Sequence, residues 1–516
     1  MNYKYIFLLF FLAFVSCKEN EVSNNPHPDN KPEVPENPED PDVEEVPEIT
    51  SFRINDVDFE VQDNLIIGFY NEELDNKNVL VATFTADGIV HVNGLVQESG
   101  VTVNDFRISV KYEVTSASGA TKEYTVRYIT FTGLAKLYIT TDNRAKIIKE
   151  EYIPALFYID PNHQYESEPI KVEGEIRGRG NTTWRMPKKP YKIKFESKIG
   201  LFNLPPHKTW VLLANYVDKT LMRNYLAYTL AHKMKSSFAP AAHFIEVFLN
   251  GVHQGNYLLT DQIEVASTRV KIPELNPAEN YDLSITGVYL LEIDQRILSA
   301  KDEPYFVSHK FPIIIKSPEE PSELQLKYIS DYVKEAEEAL FGENFADANH
   351  GFRKYFDEES MIKWFIVCEV FKNVDSRNFS SIFLHKDRGG KLTMGPVWDF
   401  DLAAGNASHC RDCMESSGWR VMDNLWFSRM YEDPAFKANV KAIWNQYKSE
   451  IDDLLPEITE LKNYLDLSQK RNFVHWPKFN DPGATAQNLP DYDSHVDYLY
   501  NFLSERINWM DNEFNR

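Results

Sequence analysis

Residues 18–47 read KENEVSNNPHPDNKPEVPENPEDPDVEEVP: ten acidic residues and seven prolines in thirty positions, with only Val22, Val34, Val43 and Val46 apolar. So little apolar surface cannot offset the entropy of ordering the backbone, and the prolines and like charges hold such a segment extended. This acidic, disordered linker sets the plan of the chain. A leader lies on one side of it, and everything able to build a core lies on the other.

The leader, residues 1–17, is MNYKYIFLLFFLAFVSC. Lys4 gives a short positive start, and Ile6 to Val15 form an unbroken apolar run of ten residues, about half of the ~20 that a bilayer-spanning helix needs. Small Ser16 precedes Cys17, the pattern of a lipoprotein signal peptide whose cysteine takes a lipid, although Phe14 stands where an aliphatic residue is usual. An ordinary cleaved leader with an incidental cysteine is the alternative. The expectation is a mature chain joined to a membrane only through lipid on Cys17.

Beyond the linker the chain is rich enough to fold, with 43% hydrophobic and 13% aromatic residues overall. Its 55 Lys+Arg against 78 Asp+Glu give a formal charge of −23, which argues against a nucleic-acid binder and against a basic membrane-adhering face. Four cysteines are too few for a disulfide scaffold.

Over residues 48–136, ITSFRIN, NLIIGFY, NVLVATFTA, IVHVNG, FRISVKYEVTS and KEYTVRYIT are short β-branched and aromatic runs. The turn pairs Asp87-Gly88, Asn93-Gly94 and Ser118-Gly119 separate them. This spacing predicts a small all-β sandwich of immunoglobulin type, lacking the Cys–Trp–Cys core of antibody domains, that serves as a spacer or docking module. Residues 137–516 mix strands and helices. KVEGEIRGRGN and YKIKFES read as strands and TLMRNYLAYTLAHKM as an amphipathic helix. FIEVFLNGVHQGNYLLTDQIEV reads as a hairpin turned by Asn250-Gly251. Residues 322–341, 358–372, 435–464 and 494–511 carry helical periodicity. The fold class expected is multidomain: the sandwich, then one large α+β domain in two lobes.

Three segments could carry chemistry. In IRGRGNTTWRMPKKPYKIKF, alternation places Arg177 with Arg179, and Lys192 with Lys194, on faces opposite Tyr191, Ile193 and Phe195. Basic pairs flanking Gly-x-Gly can meet a phosphate, or can simply be solvated. In NVDSRN, Asp375 and Asn378 follow a buried helix and suit either a hard cation or an Asx turn. In GPVWDFDLAAGN, read as extended, Trp398 and Phe400 face one way and Asp399 and Asp401 the other, ~7 Å apart. Carboxylates buried among apolar neighbours call for a cation or a basic partner. Cys410 and Cys413, in CRDC beside His409, read as a local disulfide or as reduced structural thiols. A zinc site would need two further ligands.

RGRGN…KKPYKIKF, DKTLMRNYLAY, FLNGVHQGNYLL, GVYLLEID, NVDSRN and GPVWDFDLAAG, in that order, resemble the CotH family, first known from bacterial spore coats, over about residues 137–516. The resemblance implies an atypical protein-kinase-like fold and transfer of the ATP γ-phosphate, with Mg2+ or Mn2+, to serines of secreted or coat proteins. On it, Asp375 is the catalytic base or a metal-adjacent group. Asn378, Asp399 and Asp401 hold the metal, and Lys192 contacts phosphates, with Lys189 and Lys194 as substitutes. Arg177, Arg179 and Asn181 line the nucleotide side, and Glu292 is an ion-pair or metal partner. Asp261 stands where the family more often has Glu, and Asp375 and Asn378 are three apart rather than the five of ordinary kinase loops. The acidic run after Cys17 resembles the export signal of Bacteroidetes surface lipoproteins, which implies an outer-membrane lipoprotein displayed at the cell surface. Two other readings stand beside the kinase: an inactive CotH-fold adhesin or glycan- or protein-binding lipoprotein, and a Ca2+-stabilised structural domain.

Overall fold

The computed structural model describes residues 46–516 apart from 75, 277, 282 and 480–485. The leader, Cys17 and all but the last two residues of the acidic linker lie outside the described residues.

The region after the linker is all β. Strands such as Val110–Thr115 bury Val110, Tyr112 and Val114 and expose Lys111 and Glu113, the period-two pattern of a half-buried strand. Nine strands form one hydrogen-bonded ladder, from Leu95–Val96 at one edge to Val103–Asn104 at the other. Leu65–Tyr70 pairs with Thr121–Thr130 in parallel. Three strands separate Ile49–Ile54 from Val110–Thr115 in the ladder, yet the rings of Phe52 and Tyr112 are 5.1 Å apart. The sheet therefore curls on itself around an aromatic core of Phe52, Phe59, Tyr112, Tyr124 and Tyr128. Gly68 lets that core close, since a Cβ there would lie 2.2 Å from the Phe59 ring. Six of these strands match the β-branched runs of the sequence, whereas Val57–Gln62 and the two-residue edges do not stand out there. Short edges leave little backbone for another chain to pair with.

A turn at residues 131–134 leads into Ala135–Thr141, so the boundary expected after residue 136 falls inside that strand. The junction is ionic and buried. Asp160, Lys77 and Lys136 are each at most 3% exposed, with Lys136 3.1 Å and Lys77 3.5 Å from the Asp160 carboxylate. Lys136 also reaches Glu73 at 2.8 Å, and Asn162 donates to the carbonyls of Thr130 and Leu134.

Next comes a closed seven-stranded barrel, which the sequence reading had only as separate strands and a hairpin. Parallel pairing of Ala135–Thr141 with Ala242–Leu249 closes it. Asn250 and Gly251 turn the hairpin with φ of 51° and 81°, both in the left-handed region that a type I′ turn requires. Leu137, Phe157, Ile176, Ile193, Trp210, Val247 and Leu259 fill the interior.

The remaining chain is α+β. An antiparallel five-stranded sheet, in the order Tyr305–Val307, Pro312–Ser317, Tyr289–Ile293, Ile382–Lys386, Leu392–Met394, packs against helices. Helix Glu358–Val370 is buried from Ser360 onward and centres the largest core. Two readings need correction. Helix Arg223–Lys233 is only weakly amphipathic, because polar Arg223 and Asn224 are buried on the same broad face as Leu226, Ala227, Leu230 and Ala231. The helix expected over 435–464 is three helices, Pro434–Gln446, Lys448–Asp452 and Leu454–Tyr464, and a further one, Asp466–His475, follows. Among the described residues no helix is long and apolar enough to cross a membrane.

Candidate active site between the barrel and the helical lobe

A cavity of about 560 Å³ lies where the barrel meets the α+β lobe. That is within the ~300–1,000 Å³ usual for small-molecule and cofactor sites. The barrel side supplies Lys149, Arg179, Asn181 and the run Leu213–Val217, and the lobe supplies Glu292, Arg296, Lys316, Asp375, Ser381, Trp398, Asp399 and Asp401.

The acidic wall is built by backbone geometry. Helix Glu358–Val370 stops, and Asn373 then ties two loops together. Its Oδ1 accepts from the Asp375 amide at 3.2 Å, and its Nδ2 donates to the Asp399 carbonyl at 3.1 Å. Asp399 has φ of 65°, so residues 398–401 form no strand, and the alternation expected there fails. Trp398, Asp399 and Asp401 all reach the cavity, Trp398 from the edge of the core, and Phe400 turns wholly into the core against Phe371. The start of helix Arg223–Lys233 fixes this turn from behind. Asn224 accepts the Phe400 amide at 2.8 Å, and Arg223, paired with buried Asp218 at 2.5 Å, donates to the Ala403 carbonyl at 2.9 Å. Ser381 donates to the Asp399 carboxylate at 3.2 Å.

The carboxyls of this wall share one electrostatic problem. Burial, then the charge of Asp399, pushes Asp375 up to about 6, while Arg296 and Arg420 pull the other way. Burial, followed by Asp399, Asp218 and Asp375, holds Asp401 well above the usual carboxylate range. Burial raises Glu292 to about 7, with Lys316, 3.7 Å away, opposing it. Such mutual repulsion among oxygen donors suits a hard divalent cation. As the side chains stand, however, no three His, Cys, Asp or Glu groups among the described residues already enclose a metal position.

Cations line the same cavity. Arg179 lies over the Trp398 indole at 5.6 Å, and Trp398 stacks in turn on Tyr228. Lys149 donates to Asn181 Oδ1 at 3.2 Å. Lys316 is bonded to Glu303 as well as lying beside Glu292. A polyanion with a hard cation matches this mixture of basic and acidic groups.

Of the residues singled out from sequence, Asp375, Asp399, Asp401, Arg179, Asn181 and Glu292 meet at this cavity. Trp398 and His409 line it as well, whereas Arg177, Lys189, Lys192, Lys194, Asp261, Asn378, Cys410 and Cys413 do not. The strand carrying Arg177 ends at Gly178, so Arg177 and Arg179 do not share a face: Arg177 packs on Tyr152 and Arg179 turns to Trp398. Lys192 and Lys194 are on the outer barrel face, as the alternation implied, Lys194 over the Tyr152 ring. Lys192 is largely covered, and burial, then Arg177, lowers it to about 8. Lys189 donates to the Trp184 carbonyl. The Asn378 carbonyl accepts from Gln295. Asp261 pairs with buried Arg269 at 2.9 Å. Cys410 and Cys413 are joined as a disulfide, and Cys368 is a buried free thiol. Asn373, Lys316, Arg296 and Ser381 went unread in the sequence. Only Lys316 left a signal there, as the charge that ends the apolar strand PIIIKS two positions along from the cross-strand partner of Glu292.

The sequence profile of the family described as CotH kinase protein matches residues 176–510, more than half of the chain. The chain belongs to the CotH family. All three acidic loop residues, Arg179 and Lys316 of this CotH protein fall inside the matched range. No curated protein matches the sequence. A crystal structure of a proposed glycoside hydrolase from Bacteroides thetaiotaomicron is similar over 56% of this chain and 88% of that one, at 15% identity. Its TM-score of 0.17 carries no argument about fold or activity.

Proposed function

We propose that this CotH protein is an atypical protein serine kinase, transferring the γ-phosphoryl group of ATP to a serine hydroxyl of an extracytoplasmic protein with Mg2+ or Mn2+. The observation that carries the reading is the convergence on one cavity of Asp375, Asp399, Asp401 and Lys316 from the lobe with Arg179 and Lys149 from the barrel side. Arg179, Lys149 and Lys316 bind the phosphate chain as cations, and Trp398, held between Arg179 and Tyr228, fixes the Arg179 plane. Asp399 and Asp401 would hold the metal, since carboxylate oxygens suit a hard cation. A divalent ion, when bound, offsets the charge on the phosphate oxygens. Asp375, its carboxyl raised to about 6, accepts the serine proton during transfer and is still ionised at neutral pH. Lys192 stands behind Arg179 and Lys316 and adds to their positive field.

Within the same proposal the curled sheet is an immunoglobulin-like module, and the barrel with the α+β lobe is the kinase-like body. Cys17 carries lipid that anchors the protein at the outer membrane, facing outward. Continued membrane fractionation of a Cys17→Ser chain would sink the anchor. Calorimetry of the full chain with ATP, with and without Mg2+ or Mn2+, tests the catalytic reading. Metal-dependent binding lost in Asp399→Ala is the expected result, and absence of binding with either metal overturns it in favour of an inactive binding scaffold.

A further inference from the structure

The geometry points to Ser408 as a serine that this site phosphorylates in its own chain. The inference rests on the kinase reading above and adds an acceptor to it. Ser408 and His409 occupy the two corner positions of a turn closed by the Cys410 amide donating to the Ala407 carbonyl at 3.0 Å. Both residues line the cavity, and Ser408 is exposed. The turn shares a wall with Asp375, because Ala407 packs in one small core with Val374 and Cys413, each buried. The residues that precede Ser408 and Asp375, Ala407 and Val374, thus belong to one buried cluster.

Three devices hold the turn in place. Asn406 donates to the carbonyls of Asp401 and Val217 at 2.7 and 3.0 Å, linking it to the acidic loop and to the barrel side. The Cys410–Cys413 disulfide closes the chain just after it. Lys372, three residues before Asp375, donates to the carbonyls of Asp412, Glu415 and Ser417 at 2.6–2.8 Å. A hydroxyl held on a stapled turn has little orientational freedom to lose on reaction. Other hydroxyls at the cavity are placed differently. Ser381 donates to Asp399, and Thr182 and Thr183 belong to the barrel side.

In the step, the bond from the γ-phosphorus to the β–γ bridging oxygen breaks and one from Ser408 Oγ to phosphorus forms. The hydroxyl proton passes to the Asp375 carboxylate, and ADP leaves. The product places a phosphate dianion beside Asp375, Asp399 and Asp401, where like charge opposes a second ATP. The modification therefore limits itself to one turnover per chain.

The test uses the full chain with ATP and Mg2+ at several protein concentrations, followed by reduction, trypsin and mass spectrometry. The tryptic peptide 392–411 contains Ser408 as its single serine. Expected are close to one phosphate per chain on that serine, a first-order rate independent of protein concentration, loss of labelling in Asp375→Asn, and ATP affinity about tenfold weaker after labelling. Calorimetric ATP binding on the same preparation separates the two failures. Binding with metal but no phosphate on Ser408, or labelling that survives Asp375→Asn or rises with protein concentration, overturns this inference and leaves the kinase reading standing. Absence of ATP binding removes both.

Discussion

Two groups of carboxyls are buried in this chain, and they are treated in opposite ways. At the junction of sheet and barrel, Asp160 sits between Lys77 and Lys136. Burial there pushes its carboxyl up, but the two lysines more than offset this and hold it below the usual range. At the cavity, Asp375 and Asp401 face one another and Asp399, and their carboxyls are held high. The first group is a finished structural joint. The second is left in mutual repulsion by its own fold, a local cost that makes sense where a ligand cation completes the balance.

The comparison breaks most sharply through Asp375 and Asp160. Asp375→Asn is expected to lower phosphoryl transfer by about 10³-fold, the scale of a lost general base, with little change in unfolding midpoint. Asp160→Asn is expected to do the reverse. It leaves buried Lys77 and Lys136 with Glu73 alone to balance them and costs about 3–5 kcal/mol in denaturant unfolding, while ATP affinity in the still-folded fraction is unchanged. If Asp375→Asn unfolds the chain and Asp160→Asn does not, the division into joint and site is wrong.

A pH titration sharpens the contrast further. A carboxyl held above its unfolded value binds its proton more tightly in the fold. Between about 4, the unfolded value, and about 6, the Asp375 contribution therefore makes stability fall as pH rises. Asp160, held below its unfolded value, contributes stability that is present above about 4 and is lost on further acidification. The slope between pH 4 and 6 should shrink in Asp375→Asn and in saturating Mg2+, and should persist in Asp160→Asn. Chemical denaturation at half-unit pH steps reads it.

The legibility of the two groups differed for a physical reason. Period-two alternation is local, so the strands of the sheet and barrel, and the outward direction of Lys192, could be read from single runs. Barrel closure depends on pairing Ala135–Thr141 with Ala242–Leu249, about a hundred residues apart, and no local pattern carries that register. The acidic site was legible as residue types, because paired carboxylates amid apolar neighbours are costly enough to be informative. Its shape was not. The left-handed turn at Asp399 is made by tertiary hydrogen bonds from Asn373 and to Asn224, and these override the extended geometry that alternation suggests. The Asp160 joint was invisible for the same reason, since Lys77 lies 83 residues from its partner.

The smallest expected effect separates two lysines. Lys316 faces the cavity between Glu292 and Glu303, whereas Lys192 lies behind it on the barrel wall and acts on a bound anion only through distance. A direct ammonium–phosphate contact is a charge-assisted hydrogen bond, and its loss in Lys316→Met should weaken ATP binding by about 10- to 100-fold. A unit charge roughly 8–10 Å away through a partly polar interior is worth on the order of 1 kcal/mol, so Lys192→Met should weaken binding by no more than about fivefold. Salt distinguishes the mechanisms as well. The Lys192 contribution should fade between low and moderate ionic strength to the extent that solvent reaches the path, while the Lys316 contact should persist. Calorimetry of both variants at two salt concentrations decides it. A larger loss in Lys192→Met would place the phosphate chain against the outer barrel strands and move the acidic wall from the γ-phosphate to some other task.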